Sequence, residues 1–196
     1  GGECGRHLHF DPGVEVAGVI RASDLRHPVS LQPEHLVVLR QRRDPEADVR
    51  EMNHVFGDYP RFDGGTYTFI ADYLPWAGGD GMEHRNSTIL SSSASIAGWR
   101  LGLLGTVSHE FFHPWDAGRV RPRSLEPFNF EDANMSGELW LAEGFTSYYG
   151  PLVLRRAGLT SVAEYARALA GGINTVALSP GPTVRTAEEM GRFAPF

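Results

Sequence analysis

Apolar positions in this chain change their spacing several times, and each change predicts an element. From Thr66 to Leu74 the period is two. Tyr67, Phe69, Ala71 and Tyr73 share one side, and Thr66, Thr68, Ile70 and Asp72 the other, the pattern of a half-buried strand. Thr88-Ile89-Leu90 predicts a second short strand. The spacing then lengthens to three and four. Ile96, Trp99, Leu103 and Val107 form one stripe, which predicts a helix from about Ser95 to His113. Gly98, Gly102 and Gly105 lower its helix propensity but permit close packing. Pro114 cannot sit deeper in a helix, so the helix ends or kinks there.

Leu139, Trp140, Phe145, Tyr149, Leu152 and Val153 predict the next helix, from Glu138 to about Ala157, kinked at Pro151 and stopped at Gly158. Thr160 or Ser161 is placed to cap a further helix running to Ala170. Earlier in the chain, Val49, Met52 and Phe56 fall at helical spacing. That helix opens with Asp44 as N-cap and Pro45 at the first helical position, and Gly57 ends it. Asp63-Gly64-Gly65 is a turn signal. Pro75 to Gly81 predicts a glycine-rich loop that presents Met82 to Ser87. In the first 43 residues, Val14, Val16 and Val19-Ile20 predict one short strand and Leu36 to Leu39 another, punctuated by Pro12, Pro28 and Pro33. Residues 114–135 read as a long connection, and the last 25 carry weak signals. There is no internal repeat. The organisation expected is an N-terminal extended segment, 1–43, as the remnant of a β-rich domain, and an incomplete catalytic domain, 44–196.

Composition narrows the function classes. At 196 residues with 41% hydrophobic and 21% charged residues, the chain is an ordinary globular one with enough apolar mass for a core. The net charge of −6 argues against a nucleic-acid surface. Cys4 is the only cysteine, so an intrachain disulfide is excluded and the redox compartment stays open. No apolar run approaches membrane-spanning length, because Arg100 interrupts the longest. The Gly1-Gly2 start fits a piece of a longer protein, and the compartment, bacterial cytoplasm or periplasm or secreted, is not fixed.

The chemistry concentrates at His109-Glu110-Phe111-Phe112-His113, an HExxH pattern. Residues four apart on a helix share a face, so His109 and His113 can present two imidazoles to one ion. Glu110 sits about 100° round the helix, near enough to meet a water on that ion. Two His ligands, a Glu general base and a third ligand from elsewhere make a zinc hydrolase site. By chance such a pattern would appear in roughly 2% of chains of this composition. Glu143, set in Trp140-Leu141-Ala142-Glu143-Gly144-Phe145, is costly to bury unless paired or bound to metal, which makes it the candidate third ligand. Thr146 and Ser147 lie near its face of the helix as candidate supporting partners. Tyr148 and Tyr149 point roughly 120–140° away from it.

HEFFH followed by WLAEGFTSYY resembles the gluzincin clan of zinc metallopeptidases, whose third ligand is a Glu on a second helix. The aminopeptidase family M1 has a similar second stretch but a shorter spacer and a GAMEN motif. Here 29 residues (114 to 142) separate His113 from Glu143. Gly81 to Ser87, Arg119 to Pro122 and Leu125 to Phe128 resemble peptidase family M61, the glycyl aminopeptidases. The resemblance runs from about Asp44 to Phe196. It departs in having Trp115-Asp116 where the family carries a Trp-Asn pair, in Pro114 directly after the second ligand, and in length.

The resemblance implies an α+β, thermolysin-like catalytic domain: a small β-sheet, the HExxH helix and a following helical part. It implies one catalytic Zn²⁺ held by His109, His113 and Glu143, with Glu110 as base. Glu83 occupies the setting of the GAMEN glutamate, which binds a substrate's free α-amine. The strand Thr66 to Leu74 is expected to run along the cleft and pair with substrate backbone. The expected activity is an aminopeptidase acting on peptides with a free N-terminus and small first residues, Gly or Ala. The alternatives are a zinc endopeptidase and a non-catalytic zinc-binding fragment. Arg85 and Asn86 read as structural, Arg119, Arg121 and Arg123 as a solvated or inter-domain face, and the N-terminal histidines as surface residues.

Overall fold

The structure, a computed structural model, describes residues 7–10, 14–19, 43–63, 66–73, 76–94, 96–129 and 131–193. It is a mixed α and β arrangement with one small sheet and several helices. The strands are β1 (His7–Phe10), β2 (Val14–Val19), β3 (Thr66–Tyr73), β4 (Asp80–His84) and β5 (Ser87–Ser92), in the sheet order β1-β2-β3-β5-β4. The helices are α1 (Arg43–Phe56), α2 (Ile96–Phe112), α3 (Leu139–Arg156), α4 (Val162–Leu178) and two short ones, α5 (Gly181–Val184) and α6 (Ala187–Gly191). The expected strand at Leu36 to Leu39 lies outside the described residues.

The sheet forms on the period-two pattern. β3 is parallel to both β2 and β5, and β4 returns antiparallel along β5. Tyr67 and Phe69 face the core, as their alternation requires, and Leu90 of β5 joins them. The opposite face of the outer strands carries Ile89 and Met82, paired across β5 and β4 and both exposed. Two expectations change here. The segment around Gly81 is not a loop but edge strand β4. It lacks β-branched residues, and what holds it extended is its ladder to β5, with the Thr88 hydroxyl donating to Met82 O at 3.0 Å. Nor can β3 pair with a substrate: both its edges are occupied, by β2 and β5.

α2 is apolar around most of its circumference, as a helix enclosed on several sides must be. It packs on the sheet through β4 and β5, and against α1 and α3. Val49 and Met52 of α1, Val107, Phe111 and Phe112 of α2, and Val153 of α3 meet Tyr67, Phe69, Leu90 and Trp115 in one core. Phe56 stacks on Trp115 at 5.0 Å, and Phe111 meets Tyr67 edge-on at 4.8 Å. Fully burying each such side chain contributes about 1.5–3 kcal/mol. Gly57 and Gly158 stop α1 and α3 in the left-handed region, with φ of 84° and 76°, where glycine avoids the Cβ penalty.

Boundaries differ from expectation at several ends. α1 begins at Arg43, which puts Asp44 and Pro45 in its first turn. α3 runs unbroken from Leu139 to Arg156 with Pro151 inside it. Ser161 is the N-cap of α4: its side chain accepts from Glu164 N at 3.2 Å, and Glu164 accepts from Ser161 N at 2.7 Å, a complete capping box. α4 then continues to Leu178, past the Ala170 expected. Two of the arginines after α2 are paired. Arg119 grips Asp58 with two bonds of 2.7 and 2.9 Å, and Trp115 Nε1 donates to Asp58 O at 3.0 Å. Arg121 pairs with Glu126 and lies over the Phe128 ring. Arg85 and Asn86 are structural, as expected: both bond Asp63 and anchor the β4–β5 turn to the segment before β3. Among the described residues no helix is long and apolar enough to cross a membrane.

Candidate active site

The last turn of α2 delivers His109 and Glu110, and His113 follows at the first residue beyond the helix, with Pro114 enforcing the stop. The four-residue spacing brings the two imidazoles together edge-on, with ring centres 5.0 Å apart. α3 crosses α2 so that Glu143 faces both. Its Oε2 lies 3.2 Å from His109 Nε2, and its Oε1 lies 3.7 Å from His113 Nε2. One ligand atom from each of the three residues falls within 4.8 Å of the others. His113 is buried, while His109 is half-buried and Glu143 more open.

Electrostatics follow from this crowding. Hydrogen bonding to His109 outweighs desolvation and holds the Glu143 carboxyl below its ordinary pKa. Burial disfavours the His109 imidazolium. Its bond to Glu143 and the charges of Glu110, Glu143 and Glu83 overcome this and raise its pKa. Glu110 is nearly buried, and desolvation pushes its pKa up to about 7; His109 opposes the shift, and Glu83, Glu143 and Asp80 add to it.

Glu83 stands on β4, not on a loop. Its register partner is Thr88, a buried residue of β5, so it points toward α2. Glu83, Glu110 and His113 also place one ligand atom each within 4.8 Å of one another. The structure thus gathers His109, Glu110, His113, Glu143 and Glu83 into one site. Thr146 is buried and its hydroxyl sits 2.6 Å from Ala142 O and 3.2 Å from Asp116 Oδ2. It supports Asp116, whose carboxyl pKa is raised by burial despite Thr146 and the nearby His113. Ser147 is exposed. Tyr149 stacks on Phe112 at 5.2 Å and is committed to packing.

Three residues of this region carry no signal in the sequence. Tyr67 has a buried hydroxyl, and burial with the charges of Glu110 and Glu83 keeps the phenol protonated. Gly81 lies directly against Glu110. Asp48 of α1 is fully buried behind the metal-binding candidates. Ser108, the residue before His109, reaches Asp48 Oδ1 at 2.9 Å and Gly150 O of α3 at 3.0 Å. One hydroxyl hydrogen cannot serve both acceptors; a protonated Asp48 resolves this by donating to Ser108, which then donates to Gly150 O. Desolvation pushes the Asp48 pKa up to about 8, with the Ser108 bond opposing.

A carboxyl with a raised folded pKa binds its proton more tightly in the folded state. Its contribution is therefore full at low pH and lost as pH rises from about 4 through about 8. The expected result is that thermal midpoints of the parent fall over this window relative to those of Asp48→Asn. The corresponding difference in unfolding free energy should reach on the order of a few kcal/mol at pH 9. Parallel curves for the two proteins would show that Asp48 is not protonated in the fold.

Residues 102–194, which include His109, Glu110, His113 and Glu143, match the family model described as M61 glycyl aminopeptidase. The fold resembles the crystal structure of an aminopeptidase N family protein from Idiomarina loihiensis. The TM-score is 0.58 at 22% sequence identity, over 82% of this chain and 26% of that one. At that identity the likeness is one of fold, and this chain spans about a quarter of that protein's length. Among curated proteins none matches the chain. The matched segment is similar to a peptidase family, and the α and β arrangement is similar to that of the aminopeptidase N family protein. Residues 102–194, just under half of the chain, are similar to peptidase family M61.

Proposed function

We propose that this chain is the catalytic part of a zinc-dependent aminopeptidase of thermolysin-like, gluzincin type, releasing small N-terminal residues such as Gly or Ala. The observation that carries this reading is the convergence of His109, His113 and Glu143, with Glu110 beside them and Glu83 on the neighbouring strand. Two imidazole nitrogens and one carboxylate oxygen, mutually within 4.8 Å, suit a borderline cation such as Zn²⁺ and leave one position open. When bound, zinc supplies Lewis acidity and lowers the pKa of water toward about 7.

The chain's own residues do the rest. Glu110 takes the proton of the attacking water on its carboxylate and passes it to the leaving amine. Among the described residues β4 is the sheet edge, so its outward backbone groups can add an extended substrate as a further strand. Glu83, projecting from that edge toward α2, meets the substrate's ammonium and sets the distance from the N-terminus to the cleaved bond.

The test pairs a glycyl anilide with an internally quenched, N-blocked peptide, alongside measured zinc content. Turnover of the anilide alone supports the proposal. Turnover of the blocked peptide indicates an endopeptidase, and zinc without turnover of either indicates a non-catalytic domain. Glu83→Gln keeps shape but removes charge. A partly desolvated ammonium–carboxylate pair contributes on the order of 2–4 kcal/mol, so this variant is expected to keep its zinc and lose at least about tenfold in kcat/KM on the glycyl substrate. Residual cleavage of an N-acetylated peptide should barely change. Equal loss on both substrates would make Glu83 a support of the cleft instead of its N-terminal sensor.

A further inference from the structure

Strand β4 crosses Glu110 at Gly81. A Cβ placed on Gly81 would lie 2.3 Å from Glu110 Oε1, 2.6 Å from Cδ and 2.8 Å from Cγ. All three distances are far inside the roughly 3.5 Å at which non-bonded heavy atoms attract. The neighbouring Gly78 and Gly79 have open space around the same position. Nor does the backbone require glycine here, since Gly81 pairs with Leu90 in the β4–β5 ladder. The absence of a side chain at Gly81 serves the carboxylate beneath it.

Glu110 is 5% exposed, and the backbone of β4 lies directly on its carboxylate. Packing against this backbone restricts its orientation. We propose that Gly81 is the positioning residue for Glu110: the bare backbone of β4 lies on the carboxylate and excludes the rotamers that would swing it away from the His109–His113–Glu143 cluster. A methyl group at this position would occupy the carboxylate's own space and force χ angles to change. Displacement of a reacting group by about 1 Å can cost about 100-fold in rate. This inference rests on the reading of Glu110 as the general base.

The experiment is a double-mutant cycle with Gly81→Ala and Glu110→Gln in the zinc-loaded protein, with zinc content and thermal midpoint measured for each variant. Gly81→Ala is expected to keep both, to lose at least about tenfold in kcat on a glycyl anilide, and to change KM by less than about threefold. In the Glu110→Gln background there is no base left to misplace, so adding Gly81→Ala should cost less than about twofold. Equal losses in both backgrounds would assign Gly81 to the substrate and overturn the inference. So would parental activity of Gly81→Ala, or a loss of zinc or of thermal stability. If Glu110→Gln itself stays active, the base assignment fails, whatever Gly81→Ala does.

Discussion

Glu110→Gln is expected to retain its zinc and to lose at least about 100-fold in turnover, which corresponds to about 2.7 kcal/mol of transition-state stabilisation. Gln matches Glu in volume and keeps the packing under β4, but it cannot take a proton from water. Glu110 lies outside the proposed ligand set His109, His113 and Glu143, although it also converges with Glu83 and His113, so retained zinc content is itself part of the test. Elemental analysis and steady-state kinetics on the same preparation decide the matter. Activity within a few-fold of the parent would remove Glu110 from the chemistry.

Glu143→Ala is expected to weaken zinc binding at least about 100-fold. Loss of an outer partner already costs 10–100-fold in metal affinity, and Glu143 is proposed as a ligand. Its carboxylate faces both imidazoles, at 3.2 and 3.7 Å from their Nε2 atoms. Without it two neutral nitrogens remain and the negative charge is gone. Activity should fall with metal content. The rise in thermal midpoint that excess zinc gives the parent, which grows as RT ln(1 + [L]/Kd), should shrink accordingly. Full occupancy after dialysis of the variant would show that the third ligand lies elsewhere.

The helical part of this chain was legible because its signals are local. His109 and His113 share a face by spacing alone, Pro114 and Gly158 announce two stops, and Thr160 or Ser161 announces a start, which falls at Ser161. The apolar neighbours that suggested a buried Glu143 do not bury it: Glu143, Trp140 and Phe145 are all exposed, and the carboxylate is set beside the two imidazoles by the packing of α3 on α2. What escaped depends on partners distant in sequence. Asp80 to His84 has no strand-like composition and is extended only because β5 holds it. Whether Thr66 to Tyr73 lies at the centre or the edge of the sheet is a property of topology, so the period-two pattern could assign its faces but not its neighbours. Gly171-Gly172 suggests an early end to α4, yet the helix continues through both glycines to Leu178. Asp48 reads as one more polar residue in an amphipathic helix. Only the packing of α1 on α2 and α3 turns it into a buried acid.

An open strand edge has a second consequence, for the protein's life in a crowded solution. β4 has no neighbour on its outer side among the described residues, so its amide and carbonyl groups invite any extended chain, including an identical copy. Proteins suppress such self-association by placing charge on the edge. β4 carries Asp80 and Glu83 within its five residues, with Glu110 directly beneath. Two copies aligned edge to edge would bring these carboxylates together and repel, whereas a peptide arriving with its ammonium first would be drawn in. The acidity that sorts incoming chains by their leading end also guards a necessarily unprotected edge against aggregation.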